Sequence, residues 1–114
     1  MTEIEDYEYV HSLANHISDR LSTYELLTQL AEEAAELAQA ALKYRRALRM
    51  EQGQEDTSPT PKTAQEAKKS LEEEVADVEL CIYALEMLTI DFEPMKHKAE
   101  RWLRRLEAYE DATP

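Results

Sequence analysis

The chain has 114 residues, the length of one domain, with 25 Asp and Glu against 13 Lys and Arg and a formal net charge of −12. That acidic excess argues against a polynucleotide partner held through phosphate contacts, and no apolar run approaches the roughly 18 residues a membrane span needs. Cys81 is the single cysteine, which excludes an intrachain disulfide and any zinc site built on a cysteine pair. With no basic and then apolar stretch opening the sequence, a reducing, cytoplasmic setting is the expectation.

The most restrictive count is the single glycine, Gly53. Phosphate-cradling loops of the Walker or Rossmann kind need several glycines so that backbone N–H groups can approach phosphate. Primed hairpin turns need positive φ, for which only Asn15 joins Gly53 as a suitable residue. An all-α fold is therefore expected, with any phosphate chemistry carried by side chains and metal.

In chain order, a first helix is predicted over roughly residues 4–18. Ser22 followed by Glu25 fits a capping box, and Leu30, Ala34, Leu37, Ala41, Tyr44 and Leu48 then recur at the spacing of one helix face. Residues 51–63 hold two prolines, the only glycine and no large apolar residue, and read as a surface linker. Thr63 with Glu66 opens the next helix, whose face is Leu71, Val75, Val78, Ile82 and Leu85. A fourth helix is predicted over about residues 92–109, capped by Asp91 and tolerating Pro94 in its first turn, before a frayed tail at 111–114. The expectation is one helical domain over 1–110, a four-helix, bundle-like all-α fold whose two long helices pack antiparallel. Helices this amphipathic often complete their cores by oligomerising.

The acids fall in a pattern. Taking Leu30 as zero and about 100° per residue, Glu33 lies at about −60° and Glu36 at about −120°, on the border of the apolar stripe, whereas Glu32 faces away. Gln29 and Lys43 lie close to the same border. Glu74 and Asp77 border the stripe of the next long helix in the same way. Antiparallel packing would gather Glu33, Glu36, Glu74 and Asp77. Carboxylates crowded between helices raise one another's pKa, and a divalent cation is the ordinary remedy. Oxygen ligands without neighbouring His or Cys favour Mg²⁺, with Mn²⁺ as a substitute. Di-iron bundles use Glu-x-x-His, which only Glu8 and His11 satisfy here, a pair standing alone near the N-terminus. A single Glu-x-x-Glu is common on solvated helix faces, but two acid pairs at the same edge of consecutive helices favour a shared site.

The stretch 30–46 with Glu32, Glu33 and Glu36, the connection Ser58-Pro-Thr-Pro-Lys-Thr63, and Leu71-Glu-Glu-Glu-Val-Ala-Asp-Val78 together resemble the MazG-like all-α nucleoside triphosphate pyrophosphohydrolases of bacteria and their phages. The resemblance spans about residues 29–101. It implies Mg²⁺-dependent hydrolysis of a nucleoside triphosphate to the monophosphate and pyrophosphate, by water attack at a metal-bound phosphate. Carried over by position, Glu33, Glu36, Glu74 and Asp77 match the metal ligands. Glu32 and Glu33 match the acids that assist the attacking water, and Gln29 a substrate contact. Family members often carry a Lys-aromatic-x-x-Arg element on the following helix. Here Lys98-Ala-Glu-Arg101 has alanine in the aromatic position, and Lys98 and Arg101 are the corresponding phosphate ligands. A homodimer or homotetramer is implied as well. The competing expectation is a catalytically inactive helical interaction or regulatory module of the same fold; the four intact acids favour the enzyme.

Lys96, Lys98, Arg101, Arg104 and Arg105 put five of the 13 basic residues into ten positions, either as a clamp for triphosphate charge or as cations complementing a helix C-terminus. Trp102 is read as core, as aromatic residues at helical spacing usually are, and Cys81 as a small buried residue.

Overall fold

The computed structural model describes residues 2–54 and 62–112. Most of the linker expected at 51–63, namely 55–61, and the last two residues of the expected tail lie outside the described residues. Four helices follow in order, α1 (Glu3–Arg20), α2 (Thr23–Glu51), α3 (Ala64–Ala84) and α4 (Phe92–Ala112), and no strand occurs among the described residues. The all-helical architecture is as the scarcity of glycine dictates.

Each helix start is closed by a side chain that takes up an otherwise orphaned N–H. Thr2 and Glu5 form a reciprocal capping box at α1, as Thr63 and Glu66 do at α3. At α2 only one half of the box forms: the Glu25 N–H donates to Ser22 Oγ at 3.1 Å. Asp91 Oδ1 accepts from the Glu93 N–H at 3.0 Å, which fixes the entry to α4. α1 gains residues at both ends relative to the periodicity, and at its start this is because Thr2 supplies a cap before the apolar pattern begins. α4 continues through Asp111 and Ala112, so two residues of the expected tail are helical. No proline or glycine interrupts that stretch.

The one glycine ends α2. Gly53 adopts φ 76°, in the left-handed region that favours glycine. Its N–H donates to the Met50 carbonyl at 3.1 Å and the next N–H, of Gln54, to the Arg49 carbonyl at 2.8 Å, the bond pattern of a Schellman stop. The Glu51 carboxylate then reaches across the linker and accepts from the Ala64 N–H at 3.0 Å, tying the end of α2 to the start of α3.

That tie sets α2 and α3 antiparallel, and the packing agrees at both ends. Ala47, near the end of α2, clusters with Ala64 and Ala67 at the start of α3, with Tyr44 against them. Leu26, near the start of α2, clusters with Ala84 and Leu85 at the end of α3, with Ile17 of α1 and Leu30 packed on top. Most of the buried side chains are alanines, and among the described residues Leu85 is the one large side chain with no exposure. Small side chains let two helices approach closely, so groups projecting from the edges of both stripes meet. α1 lies against α3, where the His11 ring sits between Tyr7 and Tyr83 at centroid distances of 4.3 and 4.5 Å.

α4 stands differently. It contributes no buried residue. Trp102, expected in the core, is instead 69% exposed, because the helix that carries it makes no extended contact with α1, α2 or α3. The radius of gyration is 18.4 Å, against about 13 Å for a compact domain of this length.

Candidate metal centre

Glu33 and Glu36 project from consecutive turns of α2, and Glu74 faces them from α3. One carboxylate oxygen from each lies within 4.8 Å of the other two. This meeting point lies between the two alanine- and leucine-lined clusters, midway along the antiparallel pair. The Gln29 side-chain N–H, one turn before Glu33, donates to Glu33 Oε1 at 2.8 Å and so orients that carboxylate. Glu33 Oε2 and Glu74 Oε2 are shut off from solvent and meet no donor among the described residues. Shielded carboxylate oxygens without a partner are costly in a folded protein and demand a proton or a cation.

The electrostatics point the same way. Burial pushes the Glu33 carboxyl above its ordinary value; Gln29 pulls it down, and Glu36 and Asp77 raise it again as like charges. Burial likewise raises Glu74, followed by the charges of Glu36, Asp77 and Glu33. Glu36 is a cause of the shift at both of them. Every donor atom in the cluster is oxygen, the set suited to a hard divalent ion of the Mg²⁺ or Mn²⁺ kind.

The sequence-predicted residues divide by position. Glu33, Glu36 and Glu74 come together at the borders of the two stripes. Asp77 stays exposed and outside the tight trio, but its charge acts on Glu33 and Glu74 and it lines a cavity together with Glu33. Glu32 is exposed and outside the trio, consistent with its angular position. Lys98 and Arg101 lie on exposed α4 and line neither of the cavities that flank the acids. Cys81 is buried, and burial first, then the charges of Glu33 and Asp77, push its thiol up, so it is a packed apolar side chain rather than a thiolate.

Sequence patterning misses two features of the site. Lys62, at the end of the linker, lines one flanking cavity with Lys43, and Leu21, in the turn between α1 and α2, lines the other. Lys43 carries a signal, its place on the border line of Glu33 and Glu36. Lys62 carries none, since its approach depends on how the linker returns to α3. Comparison with family models, with curated proteins and with solved structures gave no match.

Proposed function

We propose that the chain is a Mg²⁺-dependent nucleoside triphosphate pyrophosphohydrolase that yields a nucleoside monophosphate and pyrophosphate, with Mn²⁺ able to substitute. The observation that carries this is the trio Glu33, Glu36 and Glu74, with two solvent-shielded carboxylate oxygens that meet no donor among the described residues. An ion held by these three and Asp77 would neutralise phosphate oxygens and lower the pKa of a coordinated water.

The chain's own residues supply the rest. Gln29 fixes one oxygen of Glu33, leaving Oε2 outside that bond. A carboxylate of the cluster accepts the proton of the attacking water, and Glu32, expected to share that role, is exposed and outside the trio. The water oxygen bonds to phosphorus as the anhydride bond to the departing phosphates breaks, and the leaving group is pyrophosphate.

In this reading the protein works as a homo-oligomer, at least a dimer. The chain exposes 9259 Å², against about 6400 Å² for a compact monomer of its mass. α4 turns Met95, Trp102, Leu103 and Leu106 to solvent along one side, each about half exposed or more. Lys98 and Arg101 act as phosphate ligands through such an assembly, since neither borders the acids within one chain. No polynucleotide is a partner of so acidic a chain, and no described helix is long and apolar enough to cross a membrane.

The exposed face of α4 also favours a second reading, an inactive helical interaction module. The two separate in one experiment: purified protein is incubated with each common NTP and dNTP, with and without Mg²⁺, and pyrophosphate is measured. Metal-dependent release supports the enzyme; no release from any triphosphate at high protein concentration leaves the interaction module.

A further inference from the structure

Two cavities meet the acid trio from opposite directions along the α2–α3 pair, and their chemistry differs. Toward the end of α2 lies a polar cavity of about 320 Å³ whose wall includes Glu36, Lys43, Lys62, Ser70, Glu73 and Glu74. Lys62 Nζ donates to Ser70 Oγ at 3.1 Å, which directs an ammonium group from the linker's end onto α3. Toward the start of α2 lies a cavity of about 230 Å³ lined mainly by aliphatic side chains, among them Leu21, Leu26 and Leu80, with Glu33 and Asp77 at its edge. Glu36 and Glu74 thus belong to the lysine side, and Glu33 and Asp77 to the apolar side.

We propose that the Lys43–Lys62 cavity is the subsite for the diphosphate portion of the substrate, the part released as pyrophosphate, and that the apolar cavity takes the nucleoside. This rests on the pyrophosphohydrolase reading and gives the substrate a direction across the site. The chemistry follows from charge. Without a cation, Glu36, Glu73 and Glu74 repel an anion from the polar cavity. Once a cation takes up the charge of Glu36 and Glu74, the two ammonium groups outnumber the one remaining carboxylate, Glu73, and face phosphate oxygens, for which lysine serves as a compact point charge. The apolar cavity offers no cation to a phosphate, and its aliphatic walls suit a base or sugar face. The leaving group is therefore held by α2 and the linker's end.

The test uses binding, so it does not depend on turnover. Mn²⁺ is titrated into the whole protein by calorimetry, and inorganic pyrophosphate is then titrated into the Mn²⁺-loaded protein, for wild type, Lys43→Met, Lys62→Met and Lys43→Arg. Both lysines are exposed, so the substitutions leave the core intact, and circular dichroism checks that the helices persist. The expected result is Mn²⁺ affinity within about twofold of wild type in all variants, pyrophosphate affinity at least about tenfold weaker in both methionine variants, and recovery of most of it in Lys43→Arg. A Leu21→Ser variant should keep pyrophosphate affinity and weaken nucleoside monophosphate binding. Wild-type pyrophosphate affinity in both methionine variants, with Mn²⁺ still bound, overturns the subsite and leaves the metal centre standing. No Mn²⁺ binding by wild type overturns both.

Discussion

Replacing Glu36 by glutamine removes the carboxylate that sits within reach of both Glu33 and Glu74 while keeping its size. Two opposite effects follow. Without metal, the variant should melt higher than wild type, because a charge that raises both Glu33 and Glu74 is gone. With metal, wild type should gain and the variant should not. A ligand that binds only the folded state at about 100 times its dissociation constant adds about 2.7 kcal/mol, which for a domain of this size corresponds to a rise in Tm on the order of 10 °C. Losing one of three clustered ligands cuts the affinity enough that the same Mg²⁺ concentration should shift the variant by only a few degrees. The assay is a pair of thermal melts per protein, followed by circular dichroism, in chelator and in saturating Mg²⁺, with matched ionic strength so that screening does not mimic binding. Equal Mg²⁺ shifts in wild type and Glu36→Gln would refute the reasoning, whatever the absolute melting temperatures.

The raised carboxyls of Glu33 and Glu74 give a pH dependence of definite sign. The folded chain holds those protons more tightly than the unfolded one, so in chelator their contribution to stability is full below the ordinary value of 4.5 and is lost as pH rises through the raised folded values. Melts of wild type compared with a Glu33→Gln, Glu74→Gln double variant should show the wild type falling relative to the variant across that interval; a wild type that gains relative to it contradicts the assignment. Protons compete with the cation for the same oxygens, so Mg²⁺ affinity measured by calorimetry should weaken as pH falls into the same interval. Leu85→Ala empties a site with no exposure, where α1, α2 and α3 meet, and should cost about 2–5 kcal/mol, read as a lower urea midpoint with unchanged slope. Leu103→Glu with Leu106→Glu places charge on the exposed face of α4; light scattering should show wild type above the chain mass of 13.2 kDa and the double variant at it. Wild type at the monomer mass would rule out self-association through α4.

Much of the fold is legible in the sequence because local rules and periodicity agree. Ser22, Thr63 and Asp91 stand where the helices begin, and the borders of two apolar stripes bring Glu33, Glu36 and Glu74 together once α2 and α3 pack antiparallel. Gly53 is legible only as an excluded loop type; that it ends α2 depends on the carbonyls of Met50 and Arg49 needing donors, a matter of helix termination rather than of composition. Trp102 defeats the periodicity because helical spacing says which residues share a face and nothing about whether another helix covers it. Lys62 escapes it because no repeat governs the linker that delivers this side chain to Ser70. Asp77 and Glu74 share one stripe edge, yet only Glu74 enters the tight trio, since a turn along α3 changes which residue of α2 lies opposite.

Triphosphate cleavage, on this account, depends on a cation held by the acid trio. Pyrophosphate release from the nucleoside triphosphates, measured against Mg²⁺ concentration for wild type and Glu74→Gln, tests that dependence most directly. Release that saturates with Mg²⁺ in wild type and falls at least about a hundredfold in Glu74→Gln is the predicted result. Release that is independent of Mg²⁺, or undiminished in Glu74→Gln, would contradict it.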